Sequence, residues 1–227
     1  MLSIACVWNG TKYSADYVEK LRAMVRRNLR TEHRFVCITD RRELPPVLGD
    51  MTHVGPCGAD TGLPGWWAKM KLLSPDDRDP VDPTIYFDLD TVIVGDLDPL
   101  VRAAYEIRGI GICANFTRAS GHPTWPCAYG SCIMTFAPGW GAKYARIFHD
   151  AMDSIMASCP RGDQQAIERI VHADDVTILQ SVLPNGYILG RRDLNETRPD
   201  GTSIVVFGGS KRPHNCTIPW VKSEWRY

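Results

Sequence analysis

From Ile85 to Val94 the chain is apolar on both sides of two acids, Asp88 and Asp90, set one residue apart. The pattern predicts a buried strand that stops on the carboxylates and resumes after them. Alternation along an extended chain puts Asp88 and Asp90 on one face, with Leu89 pointing away. Upstream, Ser3 to Trp8 is a strand-length apolar run closed by the turn signal Asn9-Gly10. Tyr17, Leu21, Met24, Val25 and Leu29 then recur at helical spacing, which predicts a helix from Ala15 to Leu29 with Ser14 as its cap. Its arginines (Arg22, Arg26, Arg27, Arg30) read as a solvated face. His33 to Thr39 follows as a second strand. A βαβ opening implies a parallel sheet with ligand sites at the carboxyl ends of its strands. No G-x-G-x-x-G follows the first strand, so the dinucleotide fingerprint is absent.

Residues 43–65 are rich in Pro and Gly and read as loop, with a short strand at Met51 to Val54. Gly65 to Leu73 predicts a helix on which Trp66 and Lys69, three apart, share a face. Ser74 to Pro83 is an acidic turn, and Gly95 to Leu100 a turn into a short helix. Gly109 to Phe116 and Ser131 to Phe136 read as strands, separated by an irregular loop over 117–130 that suits a binding-site wall. Ala142 to Ser158 is one amphipathic helix by its spacing, and Gly162-Asp163-Gln164-Gln165 caps another through Val171. Val176 to Leu183, Tyr187 to Leu189 and Ile204 to Phe207 are strand-like, and the tail after Gly208 is polar.

The composition, 44% hydrophobic and 23% charged over 227 residues, is that of a globular chain able to bury a full core. Formal net charge is zero, so no overall field draws it to nucleic acid or anionic membrane; a nucleic-acid acceptor is not excluded by this. No apolar run approaches the ~20 residues of a transmembrane span, and the N-terminus lacks the pattern of a signal peptide. Eight cysteines show no paired C-x-x-C spacing, and Cys6, Cys37, Cys113 and Cys132 sit in apolar runs. The expectation is buried reduced thiols, no structural zinc and a cytoplasmic protein.

The chemistry gathers on the two acids. A carboxylate in an apolar core is costly unless paired or bound to a cation, and two hard oxygen ligands can hold one divalent ion with a phosphate completing its shell. The bland reading of the pair is a strand end with two solvated acids. For Trp66 and Lys69 it is a packed helix with a snorkelling lysine, and for Asp163 a helix N-cap.

In this order the pieces resemble the GT-A class of nucleotide-sugar glycosyltransferases, especially glycosyltransferase family 8 and related bacterial and viral families, over nearly the whole chain. The match rests on Gly65-Trp66-Trp67-Ala68-Lys69, on the D-x-D run Tyr86 to Leu97, on Tyr129-Gly130-Ser131-Cys132-Ile133-Met134 and on Gly162-Asp163-Gln164-Gln165. The resemblance implies an α/β, Rossmann-like fold: a mixed, mostly parallel sheet flanked by helices in a single domain, with residues 1–100 as donor half and 101–227 as acceptor half and tail. It implies transfer of a sugar from a nucleoside-diphosphate donor, a UDP-sugar first among them, to an acceptor hydroxyl, with Mn²⁺ or Mg²⁺. Val7, Trp8, Asn9 and Tyr13 would hold the nucleotide, with Lys69, Asp88, Leu89, Lys211 and Arg212 around the diphosphate. Trp66, Arg118, Gly130 and Ser131 would border the substrate, and Asp163 and Gln164 the reacting sugar. Asp88 and Asp90 would bind the metal. One departure stands out: relatives often carry a metal-binding His where this chain, in the segment Phe207-Gly208-Gly209, has Gly208, so either His214 takes over, or water fills the position, or metal binding is weaker than in the family. A rival reading is a haloacid-dehalogenase-like phosphatase, since Asp88-Leu89-Asp90-Thr91-Val92 also fits D-x-D-x-[TV], with Asp88 as nucleophile. A non-catalytic nucleotide-sugar binder is the third.

Overall fold

The computed structural model describes residues 1–48, 52–54, 63–74, 81–116, 127–209 and 211–227. β1 (Leu2–Trp8), α1 (Ala15–Asn28) and β2 (His33–Thr39) form the expected βαβ unit, with β1 and β2 parallel and Leu2 opposite His33. β3 (Thr52–Val54) adds in parallel outside β2, and β4 (Thr84–Phe87) in parallel on the other side of β1. β7 (Tyr129–Phe136) runs antiparallel to both β4 and β6 (Ile110–Ala114), and β8 (Val176–Ile178) closes the sheet parallel to β6. The result is a seven-stranded mixed sheet, β3-β2-β1-β4-β7-β6-β8. Because β6 is parallel to β1 and β4, the three strands end on the same edge.

Alternation sorts the core. Ile4, Cys6 and Trp8 of β1 join Ile85 and Phe87 of β4 on the face packed by α1, while Ala5 and Tyr86 join the opposite face. That second face is covered by the Gly65–Leu73 helix and by α3 (Ala142–Asp150), α4 (Met152–Ser158) and α5 (Asp163–Ile170). A second, three-stranded sheet, β5 (Thr91–Ile93), β10 (Ile204–Val206) and β9 (Ile188–Gly190), has β10 in the middle, antiparallel to β5 and parallel to β9. α2 (Asp98–Glu106), α6 (Leu179–Val182) and α7 (Pro219–Glu224) complete the regular elements used below. No helix among the described residues is long and apolar enough to cross a membrane. The seven cysteines among them are all free, and five are buried.

Several expectations are corrected. The Ile85–Val94 run is not one interrupted strand: β4 belongs to the large sheet and β5 to the small one, and a turn closed by Thr91 N–H on Asp88 C=O (3.0 Å) carries the acids between them. Alternation therefore does not place Asp88 and Asp90. Gly65–Leu73 is 3₁₀, not α; its period of three stacks Trp67, Met70 and Leu73 in one buried row. The single helix expected over 142–158 breaks at Ala151 (φ −126°, ψ 23°). The strand expected through Leu183 ends at Ile178 and turns into α6, whose Gln180 side chain accepts from Ala114 N–H (2.9 Å) at the end of β6. Ser14 caps α1 without a side-chain bond, and Arg22 on that helix is buried rather than solvated. The tail is not merely polar, since it forms α7. Of the short strand expected from Met51, Met51 lies outside the described residues.

Candidate active site

The two acids sit at the carboxyl edge of β4, each already engaged. Asp88 accepts through Oδ1 from the Lys69 ammonium (2.8 Å) and from the Tyr86 hydroxyl (2.5 Å). Asp90 accepts through Oδ2 from Arg212 Nη1 (3.0 Å) and from the Tyr13 hydroxyl (2.8 Å). Leu89 between them is buried at 2% exposure, which anchors the turn. Burial, then the neighbouring charge of Asp88, push the Asp90 carboxyl up to about 6, with Tyr13 and Arg212 opposing them.

Lys69 is the hinge of a buried network. Its side chain is 11% exposed, yet it faces two carboxylates, Asp88 at 2.8 Å and Asp163 at 3.4 Å, and donates to Ser131 Oγ (3.2 Å). Ser131 in turn donates to Asp163. Burial alone would lower the lysine; the two carboxylates, Asp163 first, outweigh it and raise its pKa, so it stays charged. Asp163 is pushed up by burial in spite of Lys69. Both shifts are upward, favouring the charged lysine and disfavouring the charged acid, because one buried cation serves two carboxylates.

Lys69, Asp88 and Asp90 line a cleft of about 720 Å³. It brings together Val7, Asn9, Tyr13, Trp66, Lys69, Asp88, Leu89, Asp90, Gly130, Gln164 and Arg212, eleven of the sequence candidates, from both halves of the chain. Trp66 and Lys69 share the cleft-facing row of the 3₁₀ helix, as their spacing of three requires. Asn9 ties the first loop to that helix by donating to Leu63 C=O (3.1 Å) and Gly65 C=O (3.2 Å).

Other candidates stand elsewhere. Trp8 is buried beneath the loop; its Nε1 donates to Tyr13 C=O (2.8 Å), so it shapes the loop that presents Tyr13. Asp163 and Ser131 are buried behind Lys69 rather than in the cleft wall. The capping reading of Asp163 is corrected as well: Gly162 holds the cap position at φ +81°, and Asp163 is the first helical residue. A Cβ on Gly162 would lie 2.2 Å from Trp66 Nε1, so the glycine lets the indole lean against the start of α5. His214 is exposed and hydrogen-bonded through Nδ1 to the Tyr17 hydroxyl, and Lys211 is exposed outside the cleft. Arg118 lies outside the described residues.

The sequence reading missed Lys12, Asn115, Phe116 and the turn Gly190-Arg191-Arg192-Asp193, all of which line the cleft. Two adjacent arginines directly after a predicted strand were the available signal for the last. Lys12 has an exposed stem, but the cleft walls and then Arg212 lower its ammonium.

A divalent cation is tested by the oxygens left over. Among the described residues Asp88 Oδ2 and Asp90 Oδ1 have no protein partner, so each carboxylate commits one oxygen to the protein and keeps one. No group of three His, Cys, Asp or Glu able to hold a metal occurs among those residues. At Gly208 a Cβ would meet nothing within 4 Å, so the usual third ligand leaves open space. Two carboxylate oxygens fit a hard cation whose remaining positions come from a diphosphate and water, the habit of Mg²⁺ and Mn²⁺. His214, hydrogen-bonded through Nδ1 to Tyr17, does not line the cleft.

No protein-family model matches the chain, and no curated protein matches it in sequence. Solved structures do match. The galactosyltransferase LgtC in complex with donor and acceptor sugar analogues superposes with a TM-score of 0.66 at 14% identity, over 98% of this chain and 93% of that one. GlyE of Streptococcus pneumoniae TIGR4 gives 0.69 at 11% identity, over 99% of this chain and 60% of its own. Mouse xyloside xylosyltransferase 1 gives 0.52 at 12% identity, over 96% and 98%. The chain has the GT-A glycosyltransferase fold.

Proposed function

We propose that the protein transfers a hexosyl or pentosyl group from a nucleoside-diphosphate sugar, a UDP-sugar foremost, to an acceptor hydroxyl. The observation that carries this reading is the pair of half-committed carboxylates at the edge of β4, facing a cleft that also holds Lys12 and Arg212. Breaking the bond between sugar and diphosphate builds negative charge on the leaving oxygens, and the barrier falls as that charge is neutralised in place. Lys12 and Arg212 can meet it with charge-assisted hydrogen bonds. Mn²⁺ or Mg²⁺ held by Asp88 and Asp90 would add Lewis-acid neutralisation of the same group. Lys69, fixed by Asp163 and Ser131, holds Asp88 in its orientation, so Asp163 acts as a positioning residue. Gln164, one residue on, reaches the cleft itself.

The phosphatase alternative usually has the aspartate strand open the core, whereas here β4 follows a complete βαβ unit and β3. The test is a panel of nucleotide sugars with Mn²⁺. Release of free nucleoside diphosphate, with Asp88→Asn slower by about 100-fold, supports transfer. Phosphate release from a generic phosphomonoester, or nucleotide-sugar binding without turnover, would sink it.

A further inference from the structure

We propose that the acceptor carries an anionic group, a phosphate or a carboxylate, received by Arg191 and Arg192; this deepens the glycosyltransferase reading and rests on it. Position along the sheet edge supplies the first argument. β1, β4, β7 and β6 are consecutive neighbours, and neighbouring strands lie about 4.8 Å apart. Phe116, just past β6, therefore stands roughly 14 Å along the edge from Val7 and Asn9 at the end of β1. Gly190 ends β9 against that phenyl ring: a Cβ there would lie 3.0 Å from Phe116 Cδ1 and 3.0 Å from Asp193 Oδ2. The 3₁₀ turn Arg191–Asp193 is thus fixed at the β6 end of the cleft, away from the nucleotide end.

Charge supplies the second argument. At the β4 end, the diphosphate already has Lys12 and Arg212 beside the two carboxylates. The β6 end places Arg191 and Arg192 beside Asp193, and among the described residues Arg191 has no ion-pair or hydrogen-bond partner. Adjacent like charges on an open surface would simply be solvated. Here they line the cleft, beside Phe116 and facing the same space as Trp66, which is 56% exposed. Aromatic faces accept the apolar side of a sugar ring. A guanidinium fork accepts phosphate or carboxylate oxygens in pairs. That combination selects an acceptor with a ring and a negative charge.

The test is binding of glucose, glucose 6-phosphate and glucuronic acid, by titration calorimetry, to the full chain with and without saturating UDP. The anionic sugars are expected to bind at least about tenfold tighter than glucose, as charge-assisted hydrogen bonds warrant. The preference disappears in Arg191→Ala/Arg192→Ala and survives in Lys12→Ala. Which anion binds tighter separates phosphate from carboxylate. Equal binding of glucose, a preference that outlasts the double substitution, or one lost in Lys12→Ala instead would overturn the proposal. Failure of UDP to bind would sink the donor assignment, while the comparison of variants without UDP would still decide this one.

Discussion

Burial and the charge of Asp88 hold the Asp90 carboxyl up at about 6 against the pull of Tyr13, Arg212 and Lys12. Its folded value lies above its unfolded one, so its contribution to stability is present at low pH and is lost as pH rises through 6. In EDTA, Asp90→Asn should therefore unfold later than the parent at pH 8, by on the order of 2 kcal/mol, with the gap closing as pH falls from 6 towards 4. Urea melts at three pH values decide this. A parent that equals or exceeds the variant at pH 8 would mean that the Tyr13 and Arg212 contacts outweigh burial. If instead the variant is the more stable, Asp90 is a stability cost retained for what its free oxygen can bind. Such a cost at a site matches the way the carboxylates, rather than any apolar neighbour, break the Ile85–Val94 run.

At the scale of elements, the Gly65–Leu73 helix and the start of α5 set the floor of the cleft together. Gly162 is where they touch: its φ of +81° and the indole of Trp66 both exclude a side chain. Gly162→Ala is expected to cost about 1–2 kcal/mol, because an L-residue is strained there, and to raise the acceptor KM by displacing Trp66. A variant with the parent's denaturation midpoint and acceptor KM would refute that coupling. The first βαβ unit was legible because periods of two and 3.6 are both clean there, as Ile4-Cys6-Trp8 and Tyr17-Leu21-Met24 show. Trp66 and Lys69 were legible as a pair because three-residue spacing survives the change from α to 3₁₀. The split of Ile85–Val94 between two sheets was not, since a buried strand that ends and one that resumes carry the same apolar letters. Nor was the place of Asp163: Gly162 takes the cap, and only the fold brings Lys69 and Ser131 to that carboxylate. That Gly208 stands where the resembling family has a histidine can be read from the letters alone, whereas the arginines after β9 acquire meaning only once Phe116 is seen beside them.

At the scale of the molecule, the C-terminal tail packs back on the first hundred residues. Arg212 reaches back to Asp90, His214 and Trp225 pack on Tyr17, the rings of Trp225 and Tyr17 being 4.9 Å apart, and Arg27 of α1 donates to the carbonyls of Glu224 (2.9 Å) and Arg226 (3.2 Å). Removing residues 211–227 should lower Tm by about 5 °C or more and abolish UDP binding, measured by scanning fluorimetry and calorimetry. A truncated chain that binds UDP as well as the parent would show that the tail only braces α1. Where β10 lies has a further consequence, for how the protein is made. Residues 204–206 enter between β5 and β9, strands that are both synthesised earlier. On a ribosome the small sheet cannot close until residues 204–206 have emerged, nor can Asp90 meet Arg212 until residue 212 has. Contacts this distant in sequence form late, so the small sheet and the Asp90–Arg212 pair close together, after the βαβ unit that carries Tyr13 can already have formed.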